Sequence, residues 1–156
     1  MALRKIRTEE DPILLKTSRE VTEFDDRLFE LLEDMKETLG KADGIGLAAV
    51  QIGVLRRVVV IKNGEEFVEL INPRITSSRG EQFETEACLS LPGKAGKTKR
   101  PAFVKVKAFD RTGKKHIYSG TELMARCFCH ELDHLDGVLY PQRLAEGETL
   151  VLTEDE

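Results

Sequence analysis

His130-Glu131-Leu132-Asp133-His134 is the segment whose residue types and spacing could do the most chemistry. On an α-helix, positions i and i+4 share a face with Cβ atoms about 5–6 Å apart. Two imidazoles can therefore converge on one metal ion while the helix holds their angle. Glu131 stands beside the first histidine and can reach a water activated at such an ion without ligating the ion itself. A chance HExxH in a chain this long has a probability on the order of half a per cent. The pattern is specific for a metal site but does not name the reaction.

A hydrolytic site needs a third protein ligand and an open fourth position. No histidine follows His134, and Glu146, Glu148, Glu154, Asp155 and Glu156 lie in a short polar tail with no helical pattern to aim one back. Upstream, His116 sits among lysines and reads as a surface or satisfied histidine. Cys127 lies seven residues before His134, and Cys129 points about 100° away from His130 on a helical wheel. Both read as buried small hydrophobes. Cys88, in Glu86-Ala87-Cys88-Leu89-Ser90, would on its own be a core residue as easily as a ligand; elimination raises it to the third donor.

The elements that must position these groups are legible in outline. Thr121–Leu135 has a helical pattern with Gly137 just past its end. A second helix is expected from Thr22 to Gly40, with Thr22 as cap and Asp25 three residues later. Phe24, Leu28, Leu31, Leu32, Met35 and Leu39 form its apolar stripe, and Gly40 its stop. Strands are expected at Arg57–Ile61 and at Phe67–Ile71, the latter ended by Asn72-Pro73, with Asn63-Gly64 as a hairpin turn between them. Residues 74–92 look strand-like and irregular. Val104–Ala108 alternates as a half-buried strand does, and Arg111-Thr112-Gly113 turns it into Lys115–Tyr118. Residues 5–20 read as an irregular arm, and residues 150–156 as a strand or a frayed acidic end. Hairpins outnumber crossovers, so an α+β fold with antiparallel sheet is favoured over a doubly wound one.

Composition excludes several classes. The chain has 156 residues, about one domain's worth. With 24 Lys+Arg against 28 Asp+Glu, the net charge of −4 argues against a general phosphate-backbone binder. Hydrophobic residues at 40% and charged residues at 33% are ordinary for a globular chain rather than a disordered one. No apolar run approaches the roughly 18 residues of a membrane span. The start, Met1-Ala2-Leu3-Arg4-Lys5, lacks the apolar core of a signal peptide, so a cytoplasmic, bacterial-type location is expected. Three cysteines do not suggest a disulfide framework.

Three separated motifs carry a resemblance. Gly44-Ile45-Gly46-Leu47-Ala48-Ala49-Val50-Gln51 follows a GxGLAAxQ pattern, Glu86–Ser90 resembles EGCLS, and His130–Gly137 is a complete HExDHLxG. In that order they resemble the peptide deformylases, metalloenzymes that remove the N-formyl group from new polypeptides. The resemblance covers about residues 5–144 and implies one catalytic domain over 1–156. It implies an α+β fold with antiparallel sheets packed around a central HExxH-bearing helix.

The same resemblance implies roles. Cys88, His130 and His134 would hold one divalent ion, Fe2+ foremost, with Zn2+, Ni2+ or Co2+ able to substitute. Glu131 would be the general acid/base. The Gln51 side-chain amide and the Leu89 backbone N–H would meet charge on the formyl oxygen. Gly46 would let the substrate backbone approach. Ile45, Ala87 and Cys127 would border the substrate, and Arg100 would tie Glu86. The partner would be the formyl-Met end of a nascent chain, with transient ribosome association and neither a nucleic-acid motif nor a membrane segment.

Two departures stand out: Ala87 where the family usually has Gly, and Cys129 where Gln is frequent. If position 87 needs φ > 0 or flanks the peptide, the methyl would alter substrate fit or shift the backbone slightly. Two other readings share the HExxH segment. A zinc peptidase is disfavoured by an upstream cysteine ligand. A structural metal site would close all four positions and leave Glu131 and Gln51 without a purpose.

Overall fold

The computed structural model describes residues 2–153. In chain order it contains α1 (Asp26–Lys41), β1 (Gly46–Ala48), β2 (Val58–Asn63), β3 (Glu66–Arg79), β4 (Gln82–Cys88), β5 (Leu91–Arg100), β6 (Phe103–Phe109), β7 (Lys115–Thr121), α2 (Glu122–Leu135) and β8 (Val151–Leu152). One sheet has five strands in the order β1-β2-β3-β6-β7, the other three in the order β4-β5-β8. Every pairing within them is antiparallel.

At β2 the larger sheet is covered on both faces, as the alternation of that strand shows. Val59 and Ile61 join Leu70, Val104, Val106 and Ala108 in a core completed by Ala125, Phe128, Leu132 and Leu135 of α2. Val58 and Val60 point the other way, to Leu28, Leu31, Leu32, Met35 and Leu39 of α1. Successive strand side chains face opposite sides, so a single apolar run serves two helices. On its other side α2 meets the smaller sheet, where Arg100 of β5 reaches Asp133 at 2.7 Å and Glu86 of β4 reaches His130 at 2.9 Å. The HExxH helix is thus central, between the two sheets.

Several expectations are corrected. Asp25, not Thr22, caps α1, accepting from the Leu28 N–H at 3.1 Å. Asp ranks above Thr at this position, and Phe24 then stays outside the helix and packs on the α1 core. Gly40 lies within α1, which ends at Lys41 with Ala42 as its cap. Asn72-Pro73 does not end a strand: β3 runs on to Arg79 through a register shift between Ile71 and Arg74. A bulge is where a strand tolerates proline, and Asn72, at φ 52°, bonds the Val21 backbone with both ends of its amide. Residues 74–92 divide into the end of β3, β4 and the start of β5. The rest of β5, through Arg100, is glycine- and lysine-rich and carries no alternation that sequence reading could use.

The arm over residues 5–20 holds one short 3-10 turn, Pro12–Leu15, capped by Asp11. Val151 and Leu152 form an edge strand against Ala95 and Lys94. Glu154, Asp155 and Glu156 lie outside the described residues. Gly137, at φ 75°, follows α2, and a Cβ there would stand 2.5 Å from the Leu15 carbonyl oxygen.

Candidate active site

Helical spacing and sheet register meet at one cavity of about 350 Å³. From α2 come Leu123, Arg126, Cys127, His130 and Glu131, the i, i+3, i+4, i+7 and i+8 face of the helix. From β4 and the tight turn after it come Glu86, Ala87, Cys88 and Leu89, and from the segment leading into β1 come Gly44, Ile45 and Gly46, the last being the first residue of that strand. Gln51 closes the inner wall from a 3-10 turn over Ala49–Ile52.

Cys88, His130 and His134 each bring one ligand atom to a common point, all within 4.8 Å of one another. Cys88 Sγ lies 3.3 Å from His134 Nε2. His130 turns its Nδ1 to Glu86 Oε1 at 2.9 Å, which leaves Nε2 for the cavity. One thiol and two imidazoles form a donor set that suits a borderline ion such as zinc or ferrous iron. Burial depresses the basicity of His134, and the neighbouring His130 adds to that. Burial would depress His130 as well, but Cys88 and Glu86 outweigh it and raise it well above the usual range. The donor types and their spacing, with all three ligand atoms within 4.8 Å of one another, fit a bound cation.

Glu86 is fastened from three directions. Arg100 donates through Nε at 2.8 Å and through its second nitrogen at 3.0 Å, and the Thr98 hydroxyl donates at 2.6 Å. Burial alone would raise this carboxyl; the hydrogen bonds of His130 and Arg100 outweigh it and bring it to about 2. Arg100 continues to Asp133, which also holds Arg143 at 3.0 Å. Tyr140 stacks on the other side of His130, with ring centroids 5.9 Å apart at 25°. Sequence reading anticipated Arg100 but missed Thr98, Asp133 and Tyr140. Asp133 lies inside the HExxH segment, whereas nothing local marks Thr98 or Tyr140. Leu123 and Arg126 were also missed, although their spacing from His130 was a usable signal.

Glu131 is 4% exposed, and burial lifts its carboxyl to about 7. Gly46 lies directly against it: a Cβ there would sit 2.8 Å from both Cγ and Oε2 of Glu131. Gln51 is anchored through its Oε1, which accepts from the Ala48 N–H at 2.9 Å. Its amide nitrogen then faces Ser90 Oγ at 3.1 Å and Cys88 Sγ at 3.7 Å. Leu89 occupies the turn between β4 and β5, and its side chain faces Gly44 across the cleft, 2.9 Å from where a Cβ would be. Ala87 is exposed at the register shift between Glu86 and Cys88 and has no positive φ, so its methyl strains nothing.

Cys127 and Cys129 are buried in the core around α2, and Cys127 also borders the cavity. Burial pushes the Cys129 thiol up to about 11 and the Cys127 thiol well above its usual value. His116 is outside the cavity, half-buried, 2.8 Å from Asp110.

The family model for polypeptide deformylase matches residues 3–149. The chain belongs to the polypeptide deformylase family. A peptide deformylase of Alkaliphilus metalliredigens is 52% identical over 144 residues, 92% of this chain and 98% of that relative. The crystal structure of a peptide deformylase from Legionella pneumophila aligns with a TM-score of 0.89 at 42% identity, covering 93% of this chain and 88% of that one. That from Thermotoga maritima aligns with a TM-score of 0.90 at 36% identity, covering 93% and 99%. Deformylases are metal-dependent hydrolases that remove the N-formyl group from nascent polypeptides, and this chain has that activity. Among the described residues no helix is long and apolar enough to cross a membrane.

Proposed function

We propose that Cys88, His130 and His134 hold one divalent ion, Fe2+ in the working protein, and that Glu131, Gln51 and Leu89 carry out hydrolysis of the formyl group beside it. The observation that carries this reading is the convergence of the three ligand atoms within 4.8 Å at a cavity that also contains Glu131 and Gln51. A structural site would have no use for an open cavity at its fourth position. When bound, the ion supplies a Lewis acid and lowers the pKa of water from about 15.7 towards 7.

The chain's own groups do the rest. Glu131, buried and next to His130, takes the proton of the attacking water and delivers it to the leaving amine, so formate and a free N-terminus result. Negative charge on the formyl oxygen is met by the Gln51 amide and the Leu89 N–H, each contributing about 3–4 kcal/mol. Gln51 is preset for this role because Ala48 holds its oxygen, which aims the amide nitrogen at the cavity. Glu86 fixes the His130 ring and its tautomer by accepting from Nδ1, a partner that raises ligand basicity.

The peptide lies extended along Gly44–Leu47. β1 is an edge strand paired with β2 on one side, so strand addition on the other is geometrically open. The formylmethionine side chain enters beside Ile45 and Cys127, and Ala87 flanks the bound peptide. The substrates are nascent chains in the cytoplasm, met at or near the ribosome.

Anaerobic assay of formate release from formyl-Met-Ala-Ser, with metal analysis of the same sample, tests the reading. One iron per chain, activity lost in air, and activity retained after rebuilding with nickel or cobalt are expected. Cleavage of an unblocked peptide, or full turnover by the metal-free protein, would overturn it.

A further inference from the structure

The outer face of the five-stranded sheet is only partly covered. α1 packs on β1, β2 and the beginning of β3, and Phe109 of β6 closes that core. Beyond Phe109 the same face is open, and registry shows what it carries. Arg74 pairs with Lys107 and Ser77 with Lys105, while Arg79 pairs with Phe103. Across β6, Lys107 pairs with Ile117, Lys105 with Ser119, Phe103 with Thr121 and Phe109 with Lys115. Directly paired residues share a face, and the intervening Val104, Val106 and Ala108 point inward to α2.

Five cations therefore stand together: Arg74, Arg79, Lys105, Lys107 and Lys115. None of them is in an ion pair among the described residues. Carboxylates at the α1 end of the same strands are engaged elsewhere, Glu69 by Arg111 and Lys36 and Asp110 by His116. The Arg79 guanidinium lies 4.0 Å over the Phe103 ring, which holds it flat on the sheet. Ser77, Ser119 and Thr121 put hydroxyls between the charges.

We infer that this open half of the sheet binds the phosphate backbone of RNA. Unpaired, like-signed charges on one surface repel one another unless a polyanion occupies it. Arg and Lys interleaved with Ser and Thr hydroxyls are the groups that contact phosphates without reading bases. A lipid surface fits less well, because Ile117 is the one exposed large apolar side chain among these paired positions, Phe103 lying under Arg79 and Phe109 packing on the α1 core, where an interfacial binder needs an apolar face to insert. The net charge of −4 describes the whole chain and is blind to this segregation. The site is separate from the hydrolytic cavity, and the inference does not depend on the metal.

The test is fluorescence anisotropy of a labelled RNA duplex with the metal-loaded, full-length protein over a range of salt. Each phosphate contact contributes about 0.9 to the slope of log affinity against log salt, so a slope of roughly −4 to −5 is expected. The triple variant Arg74→Gln, Lys105→Gln, Lys107→Gln should reduce that slope by about 2–3 and weaken binding at low salt at least tenfold. Its rate on a short formyl peptide should be unchanged, which also reports that it folds. Arg79→Gln with Lys115→Gln should reduce the slope by about 2. Removing Lys16, Lys41 and Lys97, which lie off this face, should leave it unaltered. Absence of RNA binding at low salt would overturn the inference. So would equal losses in both triple variants, or binding to phosphatidylserine-containing vesicles but not to RNA.

Discussion

His130 Nδ1 lies 2.9 Å from Glu86 Oε1, and that same carboxylate is held by Arg100 and Thr98. An imidazole at the metal-ligand cluster is thereby oriented by a β-strand glutamate whose own position is set by a buried guanidinium.

Glu86→Gln should weaken metal binding by about 10–100-fold and leave Arg100 with Asp133 alone, a loss on the order of 3 kcal/mol. The pH dependence follows from the same carboxyl. Its folded pKa is depressed to about 2 from 4.5, so its stabilisation is complete above the ordinary value and is lost as pH falls through about 2. Thermal unfolding of the wild type should lose stability across that acid window, and the variant should lose less. Parallel acid limbs would count against the Glu86–Arg100 pair as the cause.

Cys88→Ala removes the sulfur and leaves two imidazoles. Metal analysis after dialysis should show the ion gone, with α2 still helical by circular dichroism. Full occupancy in that variant would reject Cys88 as a ligand.

Glu131→Gln preserves shape but cannot accept a proton. Metal content should be retained while deformylation falls roughly 10²–10⁴-fold. Near-normal turnover would overturn the acid/base assignment.

Gly46→Ala has no backbone obstacle but drives a methyl to within 2.8 Å of Glu131 Cγ and Oε2. Displacing that carboxylate should lower kcat by about 10²-fold with metal content unchanged. A wild-type rate would mean that Glu131 tolerates the shift and is not tightly positioned.

Ala87→Gly should lower stability by about 0.4–1 kcal/mol through chain entropy. It should also lower KM for peptides with a large residue after the methionine, since the exposed methyl borders the cavity. An unchanged KM ratio between small and large second residues would remove Ala87 from the substrate's path.

The elements best read from sequence were those governed by local periodicity. α2 was expected at Thr121–Leu135 and lies at Glu122–Leu135, because helix spacing and a following glycine are short-range signals. The start of α1 was misplaced by three residues, cap to cap, since two capping side chains, Thr22 and Asp25, stand close together and only packing of Phe24 decides between them. β5 was mostly missed because its pairing with β4 and β8, not its own pattern, makes it a strand.

By itself, the sequence determined that two imidazoles and a carboxylate share one helical face, since i, i+1 and i+4 are positions on a single element. It also held the three motifs that identify the family. Whether Cys88 meets His134 across 46 residues was decided by how β4 docks on α2. The Thr98–Glu86–Arg100–Asp133 chain needs three elements at once. The unpaired cations of the outer sheet are scattered among Arg74, Arg79, Lys105, Lys107 and Lys115 and become one surface only through strand register. Local spacing fixes angles within an element, while register and docking fix which elements meet.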